Sequence, residues 1–506
     1  MDRPAAPRGA LERIALAVLL VAAVCLAIHD VAILVFPYDL IYGEGYLLRD
    51  AALLRRGESP YAPLAPPPAV VANYPPVFPA LFALATVPFG VGFFGGRLVS
   101  ILATAGCALL LARVARREAA GATAALFAPL LFLADLVVYY WSPYARVDML
   151  ALLFECAALD AYHAGLATRF GSGESDGGGP REARAESARR ARPLLRGHLF
   201  ALLALFTRPT AVAAPLALVL TLALARDRRA LARSLSALAG GAVALTLLLA
   251  LATGGEFARH VLLYNANRFR WGELHRLLLD FAAPHAPLLL GAAAFFLIAP
   301  PPAPARSRRF LGLAFAFACA GALLVGKVGS SQNYFLEAVA AGALLFGVAI
   351  GRSEGPLRRL LLVVAAAGPL LATTVPWVRP LELRLNPFPA MGRTPGADDR
   401  RAGDELARVV AETPGEVLVE DAGFAVRAGK RVWAHPLILG YLEEEGRYDA
   451  RPLAEMIRRR EFGAIVLSYN FLSPSLRAAI GEAYRPERAV EIPGRFKYVI
   501  LRPAAG

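Results

Sequence analysis

Asp39, Glu44, Arg49 and Asp50 stand in "DLIYGEGYLLRDAALLRRGESPY" (Asp39–Tyr61), directly after an apolar run long enough to cross a bilayer. Further along, Arg146 and Asp148 lie in "SPYARVD", Arg208 precedes a proline in "FTRPT", and Lys327, Asn333 and Tyr334 lie in "GKVGSSQNYFLE". A carboxylate can take the proton of a reacting hydroxyl. Arginine and lysine can hold a phosphate and stabilise it as it leaves. These groups make one site only if they reach the same side of a membrane at the same level, so topology decides whether they meet.

The chain has 506 residues, 57% of them hydrophobic. Its apolar runs near ~20 residues define a polytopic α-helical membrane protein. The net charge of +14 does not mark a nucleic-acid binder, because the arginines cluster in short segments between apolar runs. That is the positive-inside pattern. Cys25, Cys107, Cys156 and Cys319 all fall inside apolar runs, which leaves no disulfide framework and no metal-ligand spacing. The first apolar run follows Arg3, Arg8 and Arg13 and lacks a small-x-small cleavage site, so it reads as an uncleaved signal anchor.

Arginine placement puts the N-terminus in the cytoplasm. Span one is expected over about Ile14 to Phe36, followed by a first outer loop over about 37–95. Within that loop the proline-rich stretch Pro75 to Phe94 suits a juxtamembrane hairpin better than a span. Span two is expected over about Gly96 to Val114 and span three over about Ala119 to Trp141; span four starts near Met149. The Gly-, Ser- and Arg-rich segment Thr168 to Pro193 reads as a disordered cytoplasmic loop. Two short helices broken at Arg208-Pro209 follow, then an outer segment from Glu256 to His285, with the last span over about Leu360 to Trp377. The count is about eleven transmembrane helices. The division is 1–379 for the membrane domain and 380–506 for a small extracytoplasmic α/β domain, with amphipathic helices in "DELARVVAET" and "PLAEMIRRRE" and strands in "EVLVED", "AIVLSY", "AVEIP" and "KYVILRP".

This topology brings Asp39, Glu44, Arg146, Asp148, Arg208, Lys327 and Asn333 to the outer face from four separate stretches. Leu47, Ala51 and Leu54 share one helical face and Arg49 and Arg56 another, as in a helix lying along the membrane surface. Asp148 and Glu155 share a helix face, as do Asn333 and Glu337. Glu155 and Glu337 fall inside apolar runs, where an ionisable residue marks a functional interior. Glu44 and Asp148 could instead share a divalent cation, Mg or Mn by their oxygen ligands.

"GEGYLLRDAALLRRGESPY", "NYPPVFPALFAL" and "GRLVSILATAGCALLLARVARR", in that order, resemble the GT-C superfamily of lipid-dependent glycosyltransferases. "SPYARVDMLALLFE", "ALFTRPTAVAAPLAL" and "SSQNYFLE" resemble blocks of its bacterial family-39-like members, relatives of protein mannosyltransferases and aminoarabinose transferases. The resemblance runs to about Glu337 and implies a GT-C-like fold in the bacterial inner membrane. It implies transfer of a sugar from a polyprenyl-phosphate donor to a glycan, lipid or protein acceptor. It also implies an acidic residue of the first outer loop as base or acceptor-orienting group, here Glu44 or Asp39, and basic residues on the lipid phosphate, here Arg146 and Arg208. From their positions, Asp148 joins the catalytic candidates, and Lys327, Asn333, Tyr334, Glu155 and Glu337 join those expected around the substrates. Many relatives carry Asp-Glu where this chain has Gly43-Glu44, so the role of that Asp would fall here to Glu44 or Asp39. A secondary transporter would instead show repeats and midplane charges, and a non-catalytic scaffold would not need carboxylates converging from several loops.

Overall fold

A computed structural model describes residues 9–119, 121–171, 180–298, 305–374, 393–469, 471–492 and 496–505. Seven of the described helices are long and apolar enough to cross a membrane: α1 (Ala10–Leu34), α4 (Phe93–Ala119), α7 (Val147–Gly171), Arg228–Ala252, Trp271–Leu297, Ser307–Gly326 and Gln332–Arg352. Four further helices lie at other expected spans but are shorter or less apolar: α5 (Ala122–Leu133), α8 (Pro180–Leu205), α9 (Ala213–Leu224) and Gly355–Thr374. The apolar side chains sort by environment. Ile14, Val21 and Ile28 of α1, Val35 just after it, and Leu247, Leu248 and Leu251 face outward, where lipid replaces water as solvent. Small residues bring helices close inside: a Cβ on Gly347 would meet the backbone of Ala128.

Several expectations shift. The stretch expected as one span from Ala119 to Trp141 is broken into α5 and the short α6 (Leu136–Trp141) at Ala134–Asp135, where Asp135 takes an extended backbone and caps the new helix by accepting from Val137 N–H. The segment expected to be a disordered loop is largely helical: α7 runs on to Gly171 and α8 starts at Pro180, since Ala, Arg and Glu are strong helix formers. Only residues 172–179 of it lie outside the described part. The segment from Glu256 ends at Trp271, not His285; His285 sits inside a continuous helix and is buried. Trp377, the expected end of the last span, lies outside the described residues.

Two short elements lie across one end of the bundle: α2 (Glu44–Arg55), which starts at Gly43 in the left-handed region, and α3 (Val77–Phe89). At thirteen residues, α3 is too short to span. Over α2 sits the C-terminal region, a four-stranded sheet in the order β1-β2-β4-β3, with β1 Glu416–Val419, β2 Phe462–Leu467, β3 Tyr484–Ile492 and β4 Phe496–Pro503. β1 and β2 are parallel and pair Leu418 with Ile465; the other pairs are antiparallel. A parallel pair needs a crossover, and three short helices between Ala422 and Arg458 supply it.

The first loop and this region interlock. Ala69 N–H donates to Trp433 O at 2.9 Å and His435 N–H to Ala69 O at 3.1 Å. Tyr46 OH donates to Glu420 O at 2.8 Å. Gly45 and Gly423 meet backbone to backbone, with no room for a Cβ on either.

Candidate active site

A cavity of about 350 Å3 opens between the first loop, the bundle and the C-terminal region. Arg146, Arg208, Lys327, Asn333 and Tyr334 all line it, from three loops far apart in sequence. Arg146 sits in the turn before α7, donating from Nη1 to Tyr42 O at 3.2 Å and from Nη2 to the Tyr74 hydroxyl at 2.8 Å. Arg208 sits at the break between α8 and α9, where Pro209 cannot continue a helix. Its Nη1 donates to Asn333 O at 3.1 Å, and its guanidinium lies over the Tyr334 ring at 4.4 Å. These partners fix both planar cations before any ligand arrives.

Asp148 stands behind them, at 1% exposure, and does not line the cavity. It accepts from Asn333 Nδ2 at 2.7 Å and lies 3.3 Å from Arg208 Nη1 and 3.6 Å from Arg146 Nε. One carboxylate facing two guanidinium groups offsets half their charge and leaves the rest for an anion in the cavity. Removing either cation from such a buried cluster is costly.

Glu44 is not where the sequence placed it. Expected on the cavity, it is fully buried and does not line it. Its oxygens accept from Arg97 Nε at 2.9 Å, Arg97 Nη2 at 2.8 Å, Leu40 N–H at 3.1 Å and Ala145 N–H at 2.8 Å. Arg97, itself fully buried, also donates to Ile33 O and Tyr38 O, so the pair clamps the end of α1, the first loop and α4 together. A carboxylate with four donors has no oxygen left for an acceptor hydroxyl. It does not fit a divalent ion shared with Asp148 either, since Asp148 is faced by two arginines. Among the described residues no group of three or more His, Cys, Asp or Glu could hold a metal.

Asp39 is also buried off the cavity, against Gly45 and Gly423 where the first loop meets the C-terminal region. Burial, and then the negative charges of Asp421 and Glu44, push its pKa well up. Glu155 and Glu337 line a separate small cavity within the bundle, with Ala213 and Ala214. Glu155 accepts from Ala214 N–H at 3.1 Å and so satisfies one of the open donors at the start of α9.

Two further groups reach the cavity. Asp50 of α2 is the one carboxylate that lines it among the described residues. It is buried, accepts from Arg49 Nη1 at 2.8 Å, and burial raises its pKa to about 6 against the opposing pull of Arg49. The helical spacing of the opening motif contains the signal: Asp50 lies four residues from Tyr46 and three from Leu47, on the face of α2 that lines the cavity. His435, from the C-terminal region, has no such signal beyond its place before Pro436 at a helix start. Its Nδ1 lies 2.9 Å from Val71 O and its ring stacks on Tyr46 at 3.9 Å between centroids.

This arrangement, helices crossing a bilayer under a surface helix, a cationic cavity and a capping sheet region, is the GT-C fold. The crystal structure of ArnT from Cupriavidus metallidurans bound to undecaprenyl phosphate matches 96% of this chain and 97% of that one at 17% identity, with a TM-score of 0.62. The apo form of the same protein gives 0.60 at 16% identity, over 96% of this chain and 97% of that one. The archaeal oligosaccharyltransferase AglB from Archaeoglobus fulgidus, in complex with an inhibitory peptide and a dolichol-phosphate, matches 96% of this chain and 74% of that one at 14% identity, with a TM-score of 0.50. Residues 73–171, from the first loop through α7, match the family model described as dolichyl-phosphate-mannose-protein mannosyltransferase. No curated protein matches the chain by sequence.

Proposed function

We propose that the protein transfers a sugar from a polyprenyl-phosphate donor to a hydroxyl-bearing glycan, lipid or protein acceptor. The observation that carries this reading is the convergence of Arg146, Arg208 and Lys327 on one cavity together with a single lining carboxylate, Asp50, among the described residues. In this reading the lipid phosphate sits against Arg146 and Arg208. The acceptor oxygen forms a bond to the anomeric carbon while the bond from that carbon to the phosphate oxygen breaks. The departing phosphate keeps the electron pair, and preorganised guanidinium groups stabilise it. Asp50 takes the acceptor proton, which makes it the outer-loop carboxylate in place of Glu44 or Asp39. The fold shared with proteins solved with undecaprenyl phosphate and dolichol-phosphate supports the donor class.

The cavity and the region from about residue 380 are extracytoplasmic in this reading, and the N-terminus of this inner-membrane protein is cytoplasmic. At the opposite end of the bundle Arg117 pairs with Asp160 and Arg352 with Glu118, in keeping with a basic cytoplasmic face. A reporter fused after Arg117 should be cytoplasmic and one after Arg502 extracytoplasmic; both on the same side, or the two sides exchanged, would overturn this assignment.

Purified protein in lipid nanodiscs should release free undecaprenyl phosphate from at least one undecaprenyl-phosphate-linked sugar. Arg146→Ala and Arg208→Ala should each weaken donor binding by roughly ten- to a hundredfold, the loss expected for a charge-assisted contact of about 1.5–3 kcal/mol. Unchanged donor affinity in both variants would refute the phosphate site.

A further inference from the structure

His435 is held on several sides and turned toward the cavity. Its Nδ1 is matched to the Val71 carbonyl at 2.9 Å, which requires the proton on that nitrogen and leaves Nε2 as an acceptor. One face of the ring stacks on Tyr46, and Tyr42 lies tilted against it at 5.8 Å. The backbone around it pairs with Ala69. The residue is only 4% exposed, yet it lines the same cavity as Arg146 and Arg208. Tyr42, whose carbonyl accepts from Arg146, separates the imidazole from that guanidinium by the width of one residue. A sugar joined directly to a phosphate at Arg146 would lie over Tyr42 and next to His435. Burial, then Arg49, Arg146 and His260, hold the pKa of the ring down to about 3, so it stays neutral and keeps its acceptor lone pair at working pH. Such a weak base does not retain a proton, which leaves hydrogen bonding as what it can offer.

We infer that His435 Nε2 accepts a hydrogen bond from a hydroxyl of the donor sugar, so that the C-terminal region, rather than the helical bundle, reads which sugar is transferred. The inference rests on the transferase reading above and adds to it a sugar-binding subsite made by Tyr42, Tyr46 and His435. A site built to bond a hydroxyl discriminates against a ligand that lacks it, because its own polar group is then left unpaired.

The variant that separates this role from a structural one is His435→Asn. An asparagine amide can still donate to Val71 O from near the Nδ1 position but places nothing at Nε2. The donors are undecaprenyl-phosphate-linked mannose, glucose and galactose, and then the monodeoxy forms of whichever is turned over. The wild type should prefer the parent over one deoxy donor by roughly three- to tenfold, the worth of one neutral hydrogen bond. His435→Asn should turn over the parent and that deoxy donor alike, while its thermal unfolding stays close to wild type. His435→Gln, which carries an acceptor near the Nε2 position, should retain the preference even if it unfolds earlier. Wild-type discrimination persisting in His435→Asn would overturn the inference while leaving the transferase reading intact. A wild-type protein that releases undecaprenyl phosphate from none of the three donors, nor from any other undecaprenyl-phosphate-linked sugar, overturns the transferase reading, and the inference falls with it.

Discussion

Arg146 occupies the space that a side chain on Gly43 would fill: a Cβ built on Gly43 lies in hard contact with its Nη1. Gly43 also has φ +99°, the left-handed region that L side chains rarely adopt. The arginine and the glycine therefore determine each other. Gly43→Ala should displace the guanidinium and add backbone strain on the order of 1–2 kcal/mol. Donor affinity should drop at least about tenfold, as for a lost charge-assisted contact, with the bundle still folded. Isothermal binding of undecaprenyl phosphate measures it, and wild-type affinity in this variant would separate the two residues.

Asp50 gives a pH signature. With a pKa of about 6, it becomes a base only as pH rises through that value. Turnover at low substrate should climb from pH 5 to about 7 and level off above, in line with deprotonation of the free enzyme's base. Asp50→Asn should lose about 10²–10⁴-fold and abolish the rise. A wild-type profile flat from pH 5 to 8 argues against Asp50 as the base.

Glu44 should behave as a structural residue. Glu44→Gln leaves the Arg97 guanidinium buried without its counter-ion, and breaking a buried pair this way costs about 3–5 kcal/mol. The expected readout is a marked fall in thermal stability. Replacing both, as Glu44→Gln with Arg97→Met, should recover part of it. Full stability with turnover lost in Glu44→Gln would return Glu44 to the chemistry.

Where the first loop meets the C-terminal region, stability should depend on pH. Asp421, packed near Asp39, Glu44 and Glu420, has its pKa raised to about 7, chiefly by burial. A carboxyl whose folded pKa lies above its unfolded value stabilises fully below about 4, and that contribution is lost as pH rises through 7. Asp421→Asn keeps an acceptor for the Tyr498 hydroxyl, which lies 2.6 Å away, but cannot ionise. Its unfolding temperature should gain on wild type between pH 5 and pH 8. A constant difference across that range would mean that Asp421 does not titrate there.

The sequence made the membrane class and the meeting of Arg146, Arg208, Lys327, Asn333 and Tyr334 legible through where apolar runs end and where basic residues stand, and the small sheet region through short β-patterned runs such as "EVLVED" and "KYVILRP". It misassigned Glu44 for a physical reason. A carboxylate in a polar loop looks the same whether it faces a cavity or a buried arginine, and Arg97 sits fifty-three residues away in what reads as an ordinary apolar span. Helix boundaries at α6 and α8 turned on local capping and propensity, which hydropathy does not report. His435 was invisible because its place depends on the pairing of two segments more than three hundred residues apart.

That pairing limits how the molecule can be taken apart. Residues 69–72 and 432–435 form one seam, tied by Ala69 to Trp433, His435 to Ala69 and His435 to Val71. A chimera that imports the sheet region of a relative at a junction near residue 393 would cut across it, leaving the first loop without its hydrogen-bonding counterpart and the cavity without a wall. The exchangeable part is discontinuous: the sheet region travels only together with the strand-like stretch of the first loop that it grips.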